Sequence, residues 1–300
     1  MNAELHIRVL SDGKPGHLNQ SLGLVEAIKR IRPANETIEQ VSPNSWRRLM
    51  QNSNLSPQPD LILAAGHATH LRLIQLARKY AAIGVVLMKP SLPRALFDLC
   101  VIPGHDLKTR QQAANQIITR GVLNRVPPPD PDQTRRSGLI LIGGPSSAHG
   151  WMPEQLIEQV QAIVAARGER PWRVTDSRRT PPDFLDQLRA ACPALVAHPH
   201  AETGDEWLPQ RLAEAAEVWV TEDSVSMIYE ALSSGAAVGL LSAPRKTSCG
   251  RVLRGLDQLI EEHWATPYDA WDPGQPLTPP PHVLREADRV ADELLRQFFT

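Results

Sequence analysis

The sequence predicts an α/β chain of two doubly wound, Rossmann-like domains facing each other across a cleft. Three observations carry that expectation. Short apolar runs rich in Val, Ile and Leu recur along the 300 residues, with the length and composition of buried strands. Helix-length segments separate them, and that alternation builds parallel sheets. The pattern is interrupted at residues 125–137, where Pro127, Pro128, Pro129 and Pro131 make a semi-rigid spacer, and then restarts. The boundaries fall at 1–124 for the first domain, 125–137 for the linker and 138–275 for the second domain. A C-terminal helix follows within 276–300.

The first half opens with a strand over Leu5–Leu10 and a turn over Ser11–His17. A helix over Leu18–Ile31 follows, with Leu22, Val25, Ile28 and Ile31 on its buried face. Thr37–Val41 reads as a strand and Trp46–Met50 as part of a short helix. Asp60–Ala65 is a buried strand ending in Gly66-His67-Ala68-Thr69-His70, ahead of a helix carrying Leu71, Ile74 and Leu76. Two further strands, Ile83–Met88 and Leu99–Ile102, complete the half. The second half restarts at Leu139–Ile142, followed by a glycine-serine loop (143–150) and a helix over 153–166. Strands at Trp172–Thr175, Leu195–Ala197, Val218–Val220 and Ala236–Leu241 come next, with helices between them. A helix over 251–262, a Pro-rich loop over 273–281 and a helix over Val283–Phe299 close the chain.

Composition narrows the function. Cys100, Cys192 and Cys249 are odd in number and widely spaced, which argues against a disulfide framework and suits a reducing cytoplasm. The first residues carry no signal-peptide pattern, and no apolar run is long enough to span a bilayer. Residues 1–124 hold 15 Lys/Arg against 8 Asp/Glu, and residues 125–300 hold 17 against 25. A basic first half points to an anionic partner: a phosphorylated glycan or a membrane surface touched peripherally. No basic-aromatic stripe supports nucleic acid.

Four stretches carry the chemistry. In Ser11–His17 a structural turn needs Gly13 and Gly16, but not Asp12, Lys14 and His17 together; the spacing fits neither a dinucleotide fingerprint nor a Walker loop. Gly143, Gly144 and Ser146 lie in a loop able to present backbone N–H groups to a diphosphate. Arg178 and Arg179 sit at a strand's carboxyl edge, where guanidinium groups neutralise phosphate. Residues 217–241 read as a β-loop-α-β unit in which Asp223 or Ser224 caps the helix and Glu230 follows about two turns in. His67 with His70, and His198 with His200, have metal-ligand spacings; the first pair lacks a local carboxylate or thiol, and loop packing is the preferred role of the second.

Ser224-x-Ser226-Met227-x-x-Glu230-Ala231-x-x-x-Gly235 resembles the nucleotide-sugar segment of GT-B glycosyltransferases, where a helical Glu grips the nucleotide ribose. SDGKPGHLNQSLGL resembles the opening signature of the mitochondrial-fission "elongated mitochondria" family, whose bacterial members are similar to GT-B glycosyltransferases. The resemblance continues through Leu92-Pro93-Arg94, Pro103-x-His105-Asp106, Gly143-Gly144-Pro145-Ser146 and Ser177-Arg178-Arg179-Thr180-Pro181. Met88-Lys89-Pro90-Ser91 departs from the more polar stretch expected there.

The resemblance implies a glycosyltransferase of cell-envelope glycan or lipopolysaccharide synthesis, cytoplasmic or peripheral at the inner membrane. Its donor is a nucleotide sugar, bound as substrate with no further cofactor. A helix dipole and guanidinium groups able to stabilise the leaving nucleotide in place of a metal predict metal independence, and a single base predicts inversion. Glu230 would hold ribose, and Ser224, Ser226, Met227, Asp223, the 143–146 loop and the two arginines the rest of the donor. Asp12 or His17 would be the general base, with His105 and Asp106 in reserve and Lys14 and Gly16 lining the acceptor. The acceptor would be an anionic glycan or lipid-linked molecule, and the last helix would return to the first domain. A nucleotide-sugar epimerase of the same architecture and a non-catalytic scaffold are the alternatives.

Overall fold

The computed structural model describes residues 3–41, 54–107, 113–168, 170–246 and 250–299. The helix expected over Trp46–Met50, and Cys249, lie outside them. The chain divides into two units, Met1–Arg125 with Arg285–Thr300, and Val126–Leu284.

In the first unit β1 (Leu5–Ser11), β2 (Ala34–Gln40), β3 (Leu61–Ala65), β4 (Ile83–Leu87), β5 (Leu99–Pro103) and β6 (Gln116–Thr119) form a sheet in the order β2-β1-β3-β4-β5-β6. Every pairing is parallel. The continuous apolar runs follow from burial on both faces. Leu61, Leu63 and Ala65 enter one core cluster, while Ile62 and Ala64 enter the other. On the first face α1 (Pro15–Ile31) packs Leu24, Val25, Ala27 and Ile28 against Val290, Ala291, Leu294 and Leu295 of the last helix, α8 (Glu286–Phe298). Arg30 and Asp288 join the two helices at 2.6 Å. On the second face α2 (His70–Tyr80) buries Leu73 and Leu76.

One expected buried face is corrected. Ile31 is 51% exposed and Leu22 half-buried, because α1 starts at Pro15 and turns Leu24 and Ala27 inward. Leu71 is 49% exposed, with His70 and Leu73 inward. A tighter 3-10 turn over His67–Thr69 feeds α2.

The second unit repeats the plan with β7 (Ser137–Leu141), β8 (Trp172–Thr175), β9 (Leu195–His198), β10 (Ala215–Thr221), β11 (Ala237–Leu241) and β12 (Thr266–Pro267). Its order is β12-β11-β10-β7-β8-β9, again parallel. The helices are α3 (Pro153–Ala166), α4 (Phe184–Ala191), α5 (Trp207–Glu214), α6 (Val225–Ser234) and α7 (Arg251–Glu261). Two tryptophans lie flat over glycines of neighbouring strands: a Cβ on Gly138 would come within 2.3 Å of Trp172, and one on Gly239 within 2.4 Å of Trp219. Glu217 of β10 is buried and meets Arg167 at 3.1 Å and Arg170 at 3.6 Å. Removing its carboxylate leaves two part-buried guanidinium groups without their ion-pair partner, so Glu217→Ala should cost about 2–3 kcal/mol in denaturant unfolding.

In open parallel sheets ligands bind outside the carboxyl ends of strands where the strand order reverses. That point lies at β1/β3 in the first unit and at β7/β10 in the second. Among the described residues no helix is long and apolar enough to cross a membrane.

Candidate functional site

At the β1/β3 point the chain leaves β1 through Asp12. Its Oδ1 accepts the Lys14 N–H at 3.2 Å, an Asx-type turn that delivers Pro15 to the first position of α1. One turn on, His17 Nδ1 lies 3.0 and 3.1 Å from the two Asp12 oxygens. The Asp12 side chain is 5% exposed and that of His17 19%. A carboxylate facing Nδ1 fixes the proton there and leaves the Nε2 lone pair free, the orientation a general base needs. The end of β3 closes on this pair. A Cβ on Gly66 would come within 2.5 Å of His17 Nδ1 and 2.7 Å of Asp12 Oδ2, and Gly66 has φ +89°. Gly66 therefore serves two needs, backbone conformation and clearance.

The other first-unit residues fall around this dyad. The Lys14 Nζ is 3.9 Å from Asp12 Oδ2 with its side chain 61% exposed. Gly16 borders open space. Gln20 donates to the Gly16 carbonyl at 3.3 Å and to Met88 Sδ at 3.6 Å, tying the first turn of α1 to the loop after β4. His105 and Asp106 occupy a turn after β5. Three strand spacings, about 14 Å, separate β5 from β1, so the structure does not bring them to the dyad. His70 is buried against Ser91 Oγ at 3.2 Å and Phe97, and burial lowers its pKa to about 4. His67 is exposed. Among the described residues no group of three His, Cys, Asp or Glu side chains is arranged for a metal ion.

At the β7/β10 point the loops brace one another. Gly143 N–H donates to Thr221 Oγ1 at 2.7 Å, and Gly144 N–H to Asp223 Oδ2 at 3.0 Å. Arg179 Nη2 meets the same Asp223 oxygen at 2.7 Å, and its Nη1 donates to the Gly144 carbonyl at 2.9 Å. The Thr180 hydroxyl donates to the Gly143 carbonyl. Cβ atoms on Gly143 and Gly144 would come within 2.3 Å of Asp223 and 2.2 Å of the Arg179 carbonyl. The glycines thus make room for a buried strut. Ser146 is committed as well: its N–H donates to His149, and its Oγ accepts from Ala148 and His149.

Four expectations change here. The N–H groups of Gly143, Gly144 and Ser146 are spent within the protein. Asp223 is a brace, its side chain 2% exposed, and the two arginines separate, with Arg179 tied into the brace. Arg178 is exposed and has no polar partner among the described residues. The cap is absent too: neither Asp223 nor Ser224 gives α6 a side-chain cap hydrogen bond. The first helical bond to reach the cap runs from Ile228 N–H to the Ser224 carbonyl at 3.1 Å. The N–H groups of Val225, Ser226 and Met227 have no acceptor among the described residues. These orphan donors lie beside the Ser224 hydroxyl and exposed Ser226, with the positive end of the helix dipole behind them, and exposed Arg178 adjoins Arg179, which meets Asp223.

Glu230 lies a turn and a half into α6, half-buried, with no hydrogen-bond or ion-pair partner among the described residues. Burial pushes its pKa from 4.5 to about 7. Hydroxyl donors would compensate such a carboxylate.

Other polar groups were not anticipated. His149 is wholly buried with both ring nitrogens unpartnered and Nε2 3.9 Å from Glu222 Oε2; burial lowers the imidazole pKa and raises that of Glu222. His200 Nδ1 lies 3.0 Å from Asp176 Oδ1, a second carboxylate–imidazole pair, at the ends of β8 and β9. Asp176, Thr221 and Gly66 share the available sequence signal, since each ends a buried strand or follows it directly.

With two parallel six-stranded α/β sheets the fold is of the GT-B type. Over the whole length the fold is like that of a Listeria monocytogenes protein assigned as UDP-N-acetylglucosamine 2-epimerase (TM-score 0.60, 12% identity, 99% of this chain and 97% of that one). The UDP-GlcNAc 2-epimerase of Methanocaldococcus jannaschii, solved with UDP-GlcNAc and UDP, aligns with TM-score 0.51 and 10% identity over 98% of this chain and 100% of its own. The chain belongs to the mitochondrial fission ELM1 family, whose model matches residues 15–298. Protein RP120 of Rickettsia prowazekii (strain Madrid E) is 21% identical over 86% of this chain and 89% of its own.

Proposed function

We propose that this protein is an inverting glycosyltransferase that takes its sugar from a nucleotide-sugar donor. The observation that carries the reading is Glu230, desolvated and unpartnered behind an uncapped helix N-terminus at the strand-order reversal. Two ribose hydroxyls would donate to that carboxylate, and the diphosphate would lie on the α6 N–H groups, Ser224, Ser226 and Arg178. When the bond from anomeric carbon to phosphate oxygen breaks, the electron pair leaves with the nucleoside diphosphate. The helix dipole and the guanidinium stabilise that charge without calling on a metal. On the first unit, His17 Nε2 would take the proton of the acceptor hydroxyl as its oxygen attacks, with Asp12 holding the imidazolium. A single displacement by one base inverts the anomeric centre.

Melting curves with UDP, GDP, CDP and CMP test the donor seat. A nucleotide at ~100 times its Kd adds roughly 2.7 kcal/mol, a shift of several degrees. One nucleoside diphosphate should stabilise the wild type. Arg178→Ala should weaken it about tenfold and leave the melting temperature of the free protein unchanged, because the guanidinium has no partner to lose. No shift with any nucleotide would remove the reading. Incubation with one nucleotide sugar and no acceptor separates the other activities: an epimeric product assigns an epimerase, and a nucleotide-binding protein with no turnover on any acceptor is a scaffold.

A further inference from the structure

Unit one spends its acids away from the dyad. Glu26, Glu36 and Glu39 pair with Arg125, Lys29 and Arg72. Asp60 and Asp98 accept the backbone N–H groups of His6 and Gly84, near the amino ends of strands. Among the described residues the carboxylate beside the dyad at the carboxyl edge is Asp12, already facing His17, with Asp106 three strands away after β5. The bases there are differently placed. Lys14 extends into solvent with one carboxylate at 3.9 Å. Lys89 is exposed and has no partner among the described residues. The two lysines flank one contact: Lys14 precedes the first turn of α1, and Gln20, one turn on, touches Met88 next to Lys89. Exposed His67 adjoins Gly66, which packs on the His17 ring.

We infer that the acceptor itself carries a phosphate group beside its reacting hydroxyl, and that Lys14 and Lys89 hold it. The inference rests on reading His17 as the base and extends it to the substrate class. Two ammonium groups on flexible stems suit a phosphate, which takes hydrogen bonds from many directions, and their exposure makes the seat sensitive to salt. A positive rim next to the base also draws in an anionic acceptor and orients its hydroxyl toward Nε2. An enzyme acting on the donor alone has no use for such a rim.

The test uses the full chain at low ionic strength, without donor, and follows the His17 imidazole by NMR. Glycerol 3-phosphate stands in for a soluble acceptor, and phosphatidylcholine vesicles with or without phosphatidic acid for a lipid one. The expected result is a saturable shift of the His17 signals with one phosphate source and none with glycerol or plain vesicles. In the K14Q/K89Q double variant the apparent affinity should fall by at least about tenfold, with the His17–Asp12 pair still detectable in the free protein. His17 signals unmoved by either source, or moved equally in the double variant, overturn the inference. Because no donor is present, a positive result survives failure of the transferase assay, leaving a phosphate seat with another use; a working transferase with unmoved His17 signals sinks the seat alone.

Discussion

Turnover should fall by about 10²–10⁴ in His17→Ala while the fold and donor affinity persist, because a general base contributes that much to proton transfer. The geometry says which nitrogen acts. With Asp12 accepting at 3.0 Å, the proton rests on Nδ1 and Nε2 carries the lone pair. Asp12→Asn tests this arrangement without changing size. An amide that donates to Nδ1 forces the proton to Nε2 and removes the base, so Asn should lose nearly as much as the His17 variant. Single-turnover kinetics with labelled nucleotide sugar read the effect on chemistry, and nucleotide melting curves show that the donor seat is intact. Wild-type rates in both variants would take the dyad out of catalysis.

Glu230→Gln should stabilise the free protein at alkaline pH and weaken nucleotide binding at the same time. The sign follows from linkage. The folded-state pKa of about 7 lies above the ordinary 4.5. The carboxyl therefore costs nothing when protonated in both states, below about pH 4.5, costs progressively more between pH 4.5 and 7, and costs a constant amount above that. The full shift is worth about 3 kcal/mol, and partial exposure of the side chain reduces it to about 2. Denaturant unfolding should show Glu230→Gln more stable than wild type by about that amount at pH 8 and by under about 1 kcal/mol at pH 5. Binding carries the opposite demand. Hydroxyls donating to the carboxylate favour its charged form, so nucleotide affinity should rise with pH toward 7 more steeply in the wild type than in the variant, where only the terminal phosphate's own ionisation remains. Losing hydrogen bonds to a charged group should cost about 10- to 100-fold in Kd. Stability spent on a carboxylate without a protein partner is a mark of a ligand site.

Much of this was legible in the amino acids. Alternating apolar and amphipathic segments gave the two-sheet architecture, because strands buried on both faces read as unbroken runs such as Leu61–Ala65. Asp12, His17 and Glu230 stood out because ionisable groups crowd the strand-to-helix turns or sit inside an otherwise small-residue helix. The partition of roles did not show. Arg178 and Arg179 are chemically identical, and only the return of the chain past Asp223 decides which one is tied. Gly143 and Gly144 looked like a phosphate cradle, yet their missing side chains admit a carboxylate and a carbonyl from 35 to 80 residues away in sequence. Gly66, His149 and the Asp176–His200 pair depend on contacts across strand ends. Helix phase misled at Ile31 because a Pro15 start rotates the buried stripe.

The central claim is that α6 seats a nucleotide with Glu230 on its ribose, and a crystal soaked with the stabilising nucleoside diphosphate tests it most directly. The account predicts ribose hydroxyl oxygens about 2.6–3.0 Å from the Glu230 carboxylate and phosphate oxygens on the N–H groups of Val225–Met227. A nucleotide bound with its ribose away from Glu230, or its phosphates away from the start of α6, would contradict it.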